Sequence, residues 1–399
     1  MTAHPAFAQN PVFIPGPTNM PEALRKACDV ATLDHRSPAF ARMLNPALAG
    51  VKRILGMEAG EVFLLPATGT GGWEAAIANT LSPGDRVLAA RYGVFSARWI
   101  DLCQRFGLEV EVLDTPWGEG LPLARIEAAL KADREGRIKA VLATHNETAT
   151  GVRSDIAGLR RAMDRAGHGA LMMVDGVSSI ASMPFDFGGW GVDVAVTGSQ
   201  KGFMLPPGLA ILGLSDKALA AMENARLPRT YFDLRDMRRS MAAGGYPYTP
   251  PVGLIAGLAA SVAMLEAEGL AQVHARHHRL AEGARRAVAG WGLTTCAASA
   301  ALASDTVTAV LAPEGFDANA FVARAAGTYG MAFGTGLGAL AGKAFRIGHL
   351  GMLSEPLMLA GLATAEMVMA DLGWPVRLGS GVAAAQEFYR GTLPLAAAA

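Results

Sequence analysis

The chain has 399 residues, enough for a large buried core and for two domains. It is 51% hydrophobic and only 18% charged, which marks a compact globular protein and excludes a disordered one. Lysine plus arginine and aspartate plus glutamate number 35 each, so the net charge is zero. That balance argues against nucleic acid or a membrane surface as partner, whereas a small anionic metabolite needs only a local arginine.

In chain order, residues 1–20 come first. They hold Pro5, Pro11, Pro15, Pro17 and Gly16, and read as an extended arm lying across another surface. The opening MTAHPAFAQNPVF has no basic start followed by an apolar core, so no secretory signal is expected there. Seven short apolar runs then suit strands: residues 61–66, 86–90, 109–113, 139–145, 170–175, 192–198 and 209–214. Helical patterns separate most of them, as in IEAALKADREG and IAGLRRAMDRAG. Near-continuous apolar strands alternating with helices indicate a mainly parallel sheet covered on both faces. Two long helical stretches follow, VGLIAGLAASVAMLEAEG and AQVHARHHRLAEGARRAVAGW. Further strands are expected near TVTAVLA and FRIGHLG. PLMLAGLATAEMVMADLGW, interrupted by Glu366 and Asp371, reads as an amphipathic helix and not as a membrane span.

The fold class is therefore α/β. Residues 21–280 form a large domain on a seven-stranded sheet, and residues 281–399 a smaller C-terminal α/β domain. Cys28, Cys103 and Cys296 are odd in number and lack CxxC spacing, which fits a reduced, cytoplasmic chain with neither a disulfide scaffold nor a zinc site. His274, His277 and His278 have helical spacing, but beside Arg276 and Arg279 they read as a solvated helix face and not as metal ligands.

Ligands of such sheets bind beyond the carboxyl ends of the strands. ATGTGGWE follows the first of them, a small-residue turn opening a helix. Its free N–H groups and the hydroxyls of Thr68 and Thr70 suit a phosphate, although an ordinary helix cap would look the same. It is a poor dinucleotide fingerprint, because Glu74 stands where the last glycine of GxGxxG would fall. Asp175 ends the strand ALMMVD, either as a cap or as a functional carboxylate. Lys201 follows another strand in TGSQKG, where any single lysine is more often solvated. Together, a phosphate cradle, an aspartate and a lysine at neighbouring strand ends meet the needs of pyridoxal phosphate: anchor, pyridinium partner and Schiff-base amine.

FIPGPTN, DHRSP, ATGTGGWE, HNETATG, VDGVSS, TGSQKG, YPYTPP and FRIGHLG, in this order, resemble the class V (serine/alanine–glyoxylate) aminotransferases of fold type I over nearly the whole chain. The resemblance implies pyridoxal 5'-phosphate on Lys201, with Asp175 at its ring nitrogen. Thr68, Gly69 and Thr70 would hold its phosphate with Gln200 beside them. Phe95 would stack on its ring and Thr148 would contact its ring oxygen. Tyr246 and Thr249 would reach the phosphate of a neighbouring subunit, which implies at least a homodimer with shared sites and leaves a tetramer open. Arg346 would bind the substrate's α-carboxylate, while Asn19 and Arg36 would lie with the substrate, Arg36 at a second carboxylate or else in a structural ion pair. The implied reaction is ping-pong transamination of glyoxylate to glycine. GTGGWE, RLPRTYFDLRDM and LGSGVAAAQEFYR resemble members that use L-aspartate as amino donor, with serine or alanine as the alternative. A desulfurase-type lyase is a remote second class, since no cysteine lies in a segment suited to that chemistry.

Overall fold

The computed structural model describes residues 10–392. Strand β1 (Val12–Phe13) leads into helices α1 (Glu22–Cys28) and α2 (Pro38–Leu55). Strands and helices then alternate: β2 (Glu61–Ala67), α3 (Gly69–Thr80), β3 (Arg86–Arg91), α4 (Val94–Arg105), β4 (Glu109–Asp114), α5 (Leu123–Ala132) and β5 (Ile138–Thr144). A small hairpin, β6 (Asn146–Glu147) and β7 (Val152–Arg153), precedes α6 (Ile156–Ala166). The large sheet closes with β8 (Leu171–Asp175), β9 (Val194–Gly198) and β10 (Gly208–Leu214). Helices α7 (Asp216–Asn224), α8 (Leu234–Ala242), α9 (Val252–Glu268) and α10 (Leu270–Gly290) follow. The last part comprises β11 (Val307–Leu311), α11 (Ala318–Tyr329), β12 (Ala332–Thr335), β13 (Ala344–Gly348), α12 (Glu355–Asp371) and α13 (Ser380–Gly391).

The seven-stranded sheet runs β2-β10-β9-β8-β5-β3-β4, and β10 alone lies antiparallel to its neighbours. All seven strand expectations fall on observed strands; the central runs are buried on both faces with no polar period, whereas the edge strand β4 alternates Glu and Val and is only partly buried. The carboxyl ends of β2, β3, β5, β8 and β9 share one edge of the sheet, and the expected site residues follow them there. Helix α3 can lie tight on the sheet because it lacks side chains at its contact: a Cβ on Gly72 would come within 2.6 Å of Val196 and 3.2 Å of Ala210.

The second sheet runs β1-β12-β13-β11. The described part of the arm is thus an edge strand, with Val12 beside Ala332 and Phe13 beside Phe333. Phe13 is fully buried and its ring centroid lies 5.7 Å from that of Phe333. Helices α9 and α10 meet at 85° at Gly269, and α10 joins the two cores: Val273 packs into the large one, Leu280 and Ala284 into the small one. The expected domain boundary at residue 280 falls inside this continuous helix. Among the described residues, no single helix is long and apolar enough to cross a membrane.

Two polar expectations are corrected by packing. His277 is 1% exposed, with Nδ1 against the Val273 carbonyl at 2.7 Å and Nε2 accepting the Gly351 N–H at 3.1 Å; burial holds its pKa at about 3. It is a neutral structural bridge between α10 and the turn after β13, and not part of a solvated face. Glu366 is likewise buried, so α12 has no polar stripe through it.

Candidate active site

Lys201 lies in the tight turn after β9, where the Met204 N–H returns to the Lys201 carbonyl at 2.9 Å. Its amine donates to the carbonyl of Pro15, and its own carbonyl receives the Thr18 hydroxyl at 3.3 Å. The arm therefore wraps the lysine. Gly16, at φ +100°, has to be glycine here: a Cβ would lie 2.5 Å from the lysine Cδ and Nζ. Burial, reinforced by the charge of Arg346 and opposed by Asp175, lowers the lysine to about 8. An amine in that range is neutral often enough to act as nucleophile or base near neutral pH.

Asp175 is buried at the end of β8. No helix follows it, so it is not a helix cap: its Oδ1 accepts the Val177 N–H at 2.9 Å in a local turn. Burial pushes its carboxyl up to about 7; the Val177 N–H opposes this and the charge of Glu147 adds to it. A cation against Asp175 would favour its ionised form.

Thr68 occupies the N-cap of α3 but makes no side-chain capping bond, and Thr70 is also exposed, so both hydroxyls face outward. The first N–H groups of α3 have no intrahelical acceptor and stand at the positive end of its dipole. Gln200 lies beside them: its Oε1 would be 2.8 Å from a Cβ on Gly198, and the Gly69 nitrogen 3.6 Å. That oxygen is buried with no hydrogen-bond partner among the described residues.

Phe95 opens α4 and lies half-buried, with the Arg98 guanidinium 5.3 Å from its ring centroid. The Thr148 hydroxyl is 2.7 Å from that of Ser178, which donates to the Asn146 carbonyl at 3.1 Å. Arg346 is on β13, the strand between β11 and β12, and is 7% exposed. Its Nε donates to the Thr335 carbonyl at 2.9 Å and Nη1 to the Thr148 carbonyl at 3.1 Å. One edge of the guanidinium is thus tied down, while Nη2 has no hydrogen bond among the described residues. Burial lowers its pKa to about 10, partly offset by Glu147, so it stays charged.

Over this geometry, the chain's likeness to known proteins is specific. The family model Aminotransferase class-V matches residues 25–338. The chain is 66% identical over 385 residues to an L-aspartate–glyoxylate aminotransferase of Paracoccus denitrificans, covering 96% of this chain and 97% of that one. It is 50% identical over 380 residues to a serine–glyoxylate aminotransferase of Hyphomicrobium methylovorum, covering 95% and 94%. Its fold superposes on pyridoxamine–pyruvate aminotransferase from Mesorhizobium loti with a TM-score of 0.90 at 28% identity, covering 98% of this chain and all of that one. The chain belongs to the class-V aminotransferases.

This aminotransferase uses pyridoxal phosphate, and its residues fit that group. The unspent helix N-terminus with the orphaned Gln200 amide suits the phosphate. A buried carboxylate suits a ring cation, and a buried amine of lowered pKa suits the aldehyde.

Two expected residues, Asn19 and Tyr246, make other hydrogen bonds within this chain, and a third, Arg36, makes none with its side chain among the described residues. Asn19, expected at the substrate, clips the arm: its Oδ1 accepts the Val12 N–H and its Nδ2 donates to the Val12 carbonyl, both at 2.8 Å. The Tyr246 hydroxyl, expected to reach a neighbouring phosphate, donates to the Leu64 carbonyl at 2.6 Å, and its buried ring meets Phe40 edge-on. Arg36 is exposed and its side chain has no ion pair among the described residues of this chain. Its segment lies beside the turn before Tyr246, with the His35 carbonyl 3.9 Å from a Cβ on Gly245; Thr249 is exposed nearby in the chain. Sequence reasoning missed Glu147 altogether, although it stands inside HNETATG.

Proposed function

We propose that this aminotransferase is a cytoplasmic homodimer that moves the amino group of L-aspartate to glyoxylate by a ping-pong cycle, releasing oxaloacetate and glycine. The observation that carries the choice is the 66% identity, over 96% of the chain, to an enzyme named for that pair, against 50% to one named for serine.

When bound, pyridoxal phosphate withdraws electrons from the substrate's α-carbon. Lys201, lowered to about 8, would act as the base that takes up and returns the substrate's α-proton. Asp175 would hold the protonated ring nitrogen, and its own charge would be favoured by that cation. Arg346 presents its unused Nη2 to the substrate's α-carboxylate while its other edge stays fixed on Thr335 and Thr148. Glyoxylate has no side chain, so this grip supplies most of its orientation. Aspartate carries a second carboxylate, and Arg36 is the candidate cation. Exposed Arg36 and Thr249 stand on adjoining segments, which supports a site completed between subunits.

A donor series with glyoxylate as acceptor tests this reading. Aspartate should give a larger kcat/KM than serine or alanine; serine ahead of aspartate would make the enzyme a serine–glyoxylate aminotransferase. Mass measurement of the native enzyme should give twice the chain mass or a multiple of that.

A further inference from the structure

Glu147 is fully buried at the strand-end edge of the large sheet, in the hairpin that follows β5. Its carboxylate receives four close approaches from backbone N–H groups. Phe95 N lies 3.1 and 3.2 Å from its two oxygens, Ser96 N 2.9 Å from Oε2 and Ala149 N 3.2 Å from Oε1. Gly93 has no side chain where one would strike this carboxylate. Every contact is a donor, and none of the described groups accepts a proton from it. Although burial pushes its pKa up, the donors and the positive end of α4 favour an ionised carboxylate.

Three features converge on this one group. It holds the first turn of the helix that presents Phe95. It precedes Thr148, whose carbonyl and hydroxyl engage Arg346 and Ser178. Its charge acts on Arg346 from β13, on Asp175 from β8 and on the Tyr92 hydroxyl that precedes α4. We propose that Glu147 is a positioning residue of the site: it sets the orientation of Phe95 and is the fixed anion between the ring-nitrogen aspartate and the carboxylate-binding arginine. This rests on the reading that Phe95 faces the cofactor ring, which the Phe95→Leu variant tests alone.

The experiment compares Glu147→Gln, Glu147→Asp, Phe95→Leu and the Glu147→Gln/Phe95→Leu double variant with the parent, as cofactor-loaded and cofactor-stripped protein. Glu147→Gln removes the charge and turns one amide donor toward backbone N–H groups. It should weaken cofactor binding to the stripped protein, followed by tryptophan fluorescence, by about tenfold. It should at least halve the visible circular-dichroism band of the loaded enzyme, since that band reports ring tilt. The pH midpoint of the loaded enzyme's colour change should fall by roughly half a unit or more, because loss of an anion eases loss of a nearby proton. Glu147→Asp keeps the charge but withdraws it from α4, so the dichroism should fall while the midpoint holds. In the Phe95→Leu background, Glu147→Gln should have no further effect on dichroism.

A lower melting temperature with unchanged cofactor affinity, dichroism and midpoint would reduce Glu147 to a helix cap and overturn the proposal. If Glu147→Gln does not fold, Glu147→Asp decides: unchanged dichroism there overturns it equally. If Phe95→Leu alone leaves cofactor binding and dichroism unchanged, the stacking reading fails, whatever Glu147 does.

Discussion

Glu147 and Glu366 bury a carboxylate in the same local way in two different parts of the molecule. Glu366 receives the Trp291 indole N–H at 2.9 Å and the backbone N–H groups of Gly379, Gly381 and Val382 at 2.6, 2.8 and 3.0 Å. It thereby fastens the start of α13 to α12 and α10 in the small core. Glu147 fastens the start of α4 but has Arg346 and Asp175 within electrostatic reach. Capping alone explains the first. In the second the same bonds also fix a charge among groups proposed to bind cofactor and substrate, so local geometry does not separate a structural carboxylate from a working one; its charged neighbours do.

Substitutions on the two sides should divide accordingly. The largest effect is expected at Lys201: Lys201→Ala should lower kcat by about 10⁴-fold or more without lowering the melting temperature of the cofactor-free chain. Arg346→Lys replaces a two-pronged donor with a point charge and should lower kcat/KM about 10²-fold for every donor, as steady-state rates would report. On the structural side, Glu366→Ala leaves four donors unmatched, of which those of Trp291 and Gly381 are buried. It should cost about 2–4 kcal/mol in denaturant unfolding, with cofactor affinity and kcat/KM of the folded enzyme unchanged. A change in those constants would erase the distinction between the two carboxylates.

Asp175 gives the pH test. Its folded pKa of about 7 exceeds the ordinary 3.8, so the folded chain binds this proton more tightly than the unfolded one. The stability so gained at low pH is lost as pH rises through that window. Cofactor-free Asp175→Asn should therefore lose less stability than the parent between about pH 4 and 7, measured by thermal melts across that range. Arg36→Ala is the smallest change: about tenfold in kcat/KM for aspartate and little for serine or alanine. Equal losses for all three donors would take Arg36 out of that role.

The parts of this division that the sequence displayed are those governed by local pattern. Buried parallel strands show as unbroken apolar runs, and Thr68, Asp175 and Lys201 follow such runs directly, so strand ends located them. Arg346 had no such guide; its place came from family likeness, and its partners Thr335 and Thr148 come from a different strand and a different domain. Glu147, Glu366 and His277 were misread or missed for one reason. A buried polar side chain looks the same in sequence as an exposed one, and its donors lie on other elements. Asn19 was placed by its motif alone, and its amide pairs with a backbone N–H and carbonyl seven residues earlier, a partner no local pattern shows.

The arm that wraps Lys201 also sets an order of assembly. Asn10 donates to the carbonyl of Gly330, 320 residues away, and β1 adds to an edge that β12 provides. A ribosome releases the lysine and the whole seven-stranded sheet long before it makes that edge. The nascent large domain can therefore pack while Lys201 remains uncovered, and Asn10 to Phe13, made before that sheet, are among the last to settle. A tag or fusion at the N-terminus would load the strand whose docking completes the catalytic centre, whereas the same tag after α13 would leave that final step alone.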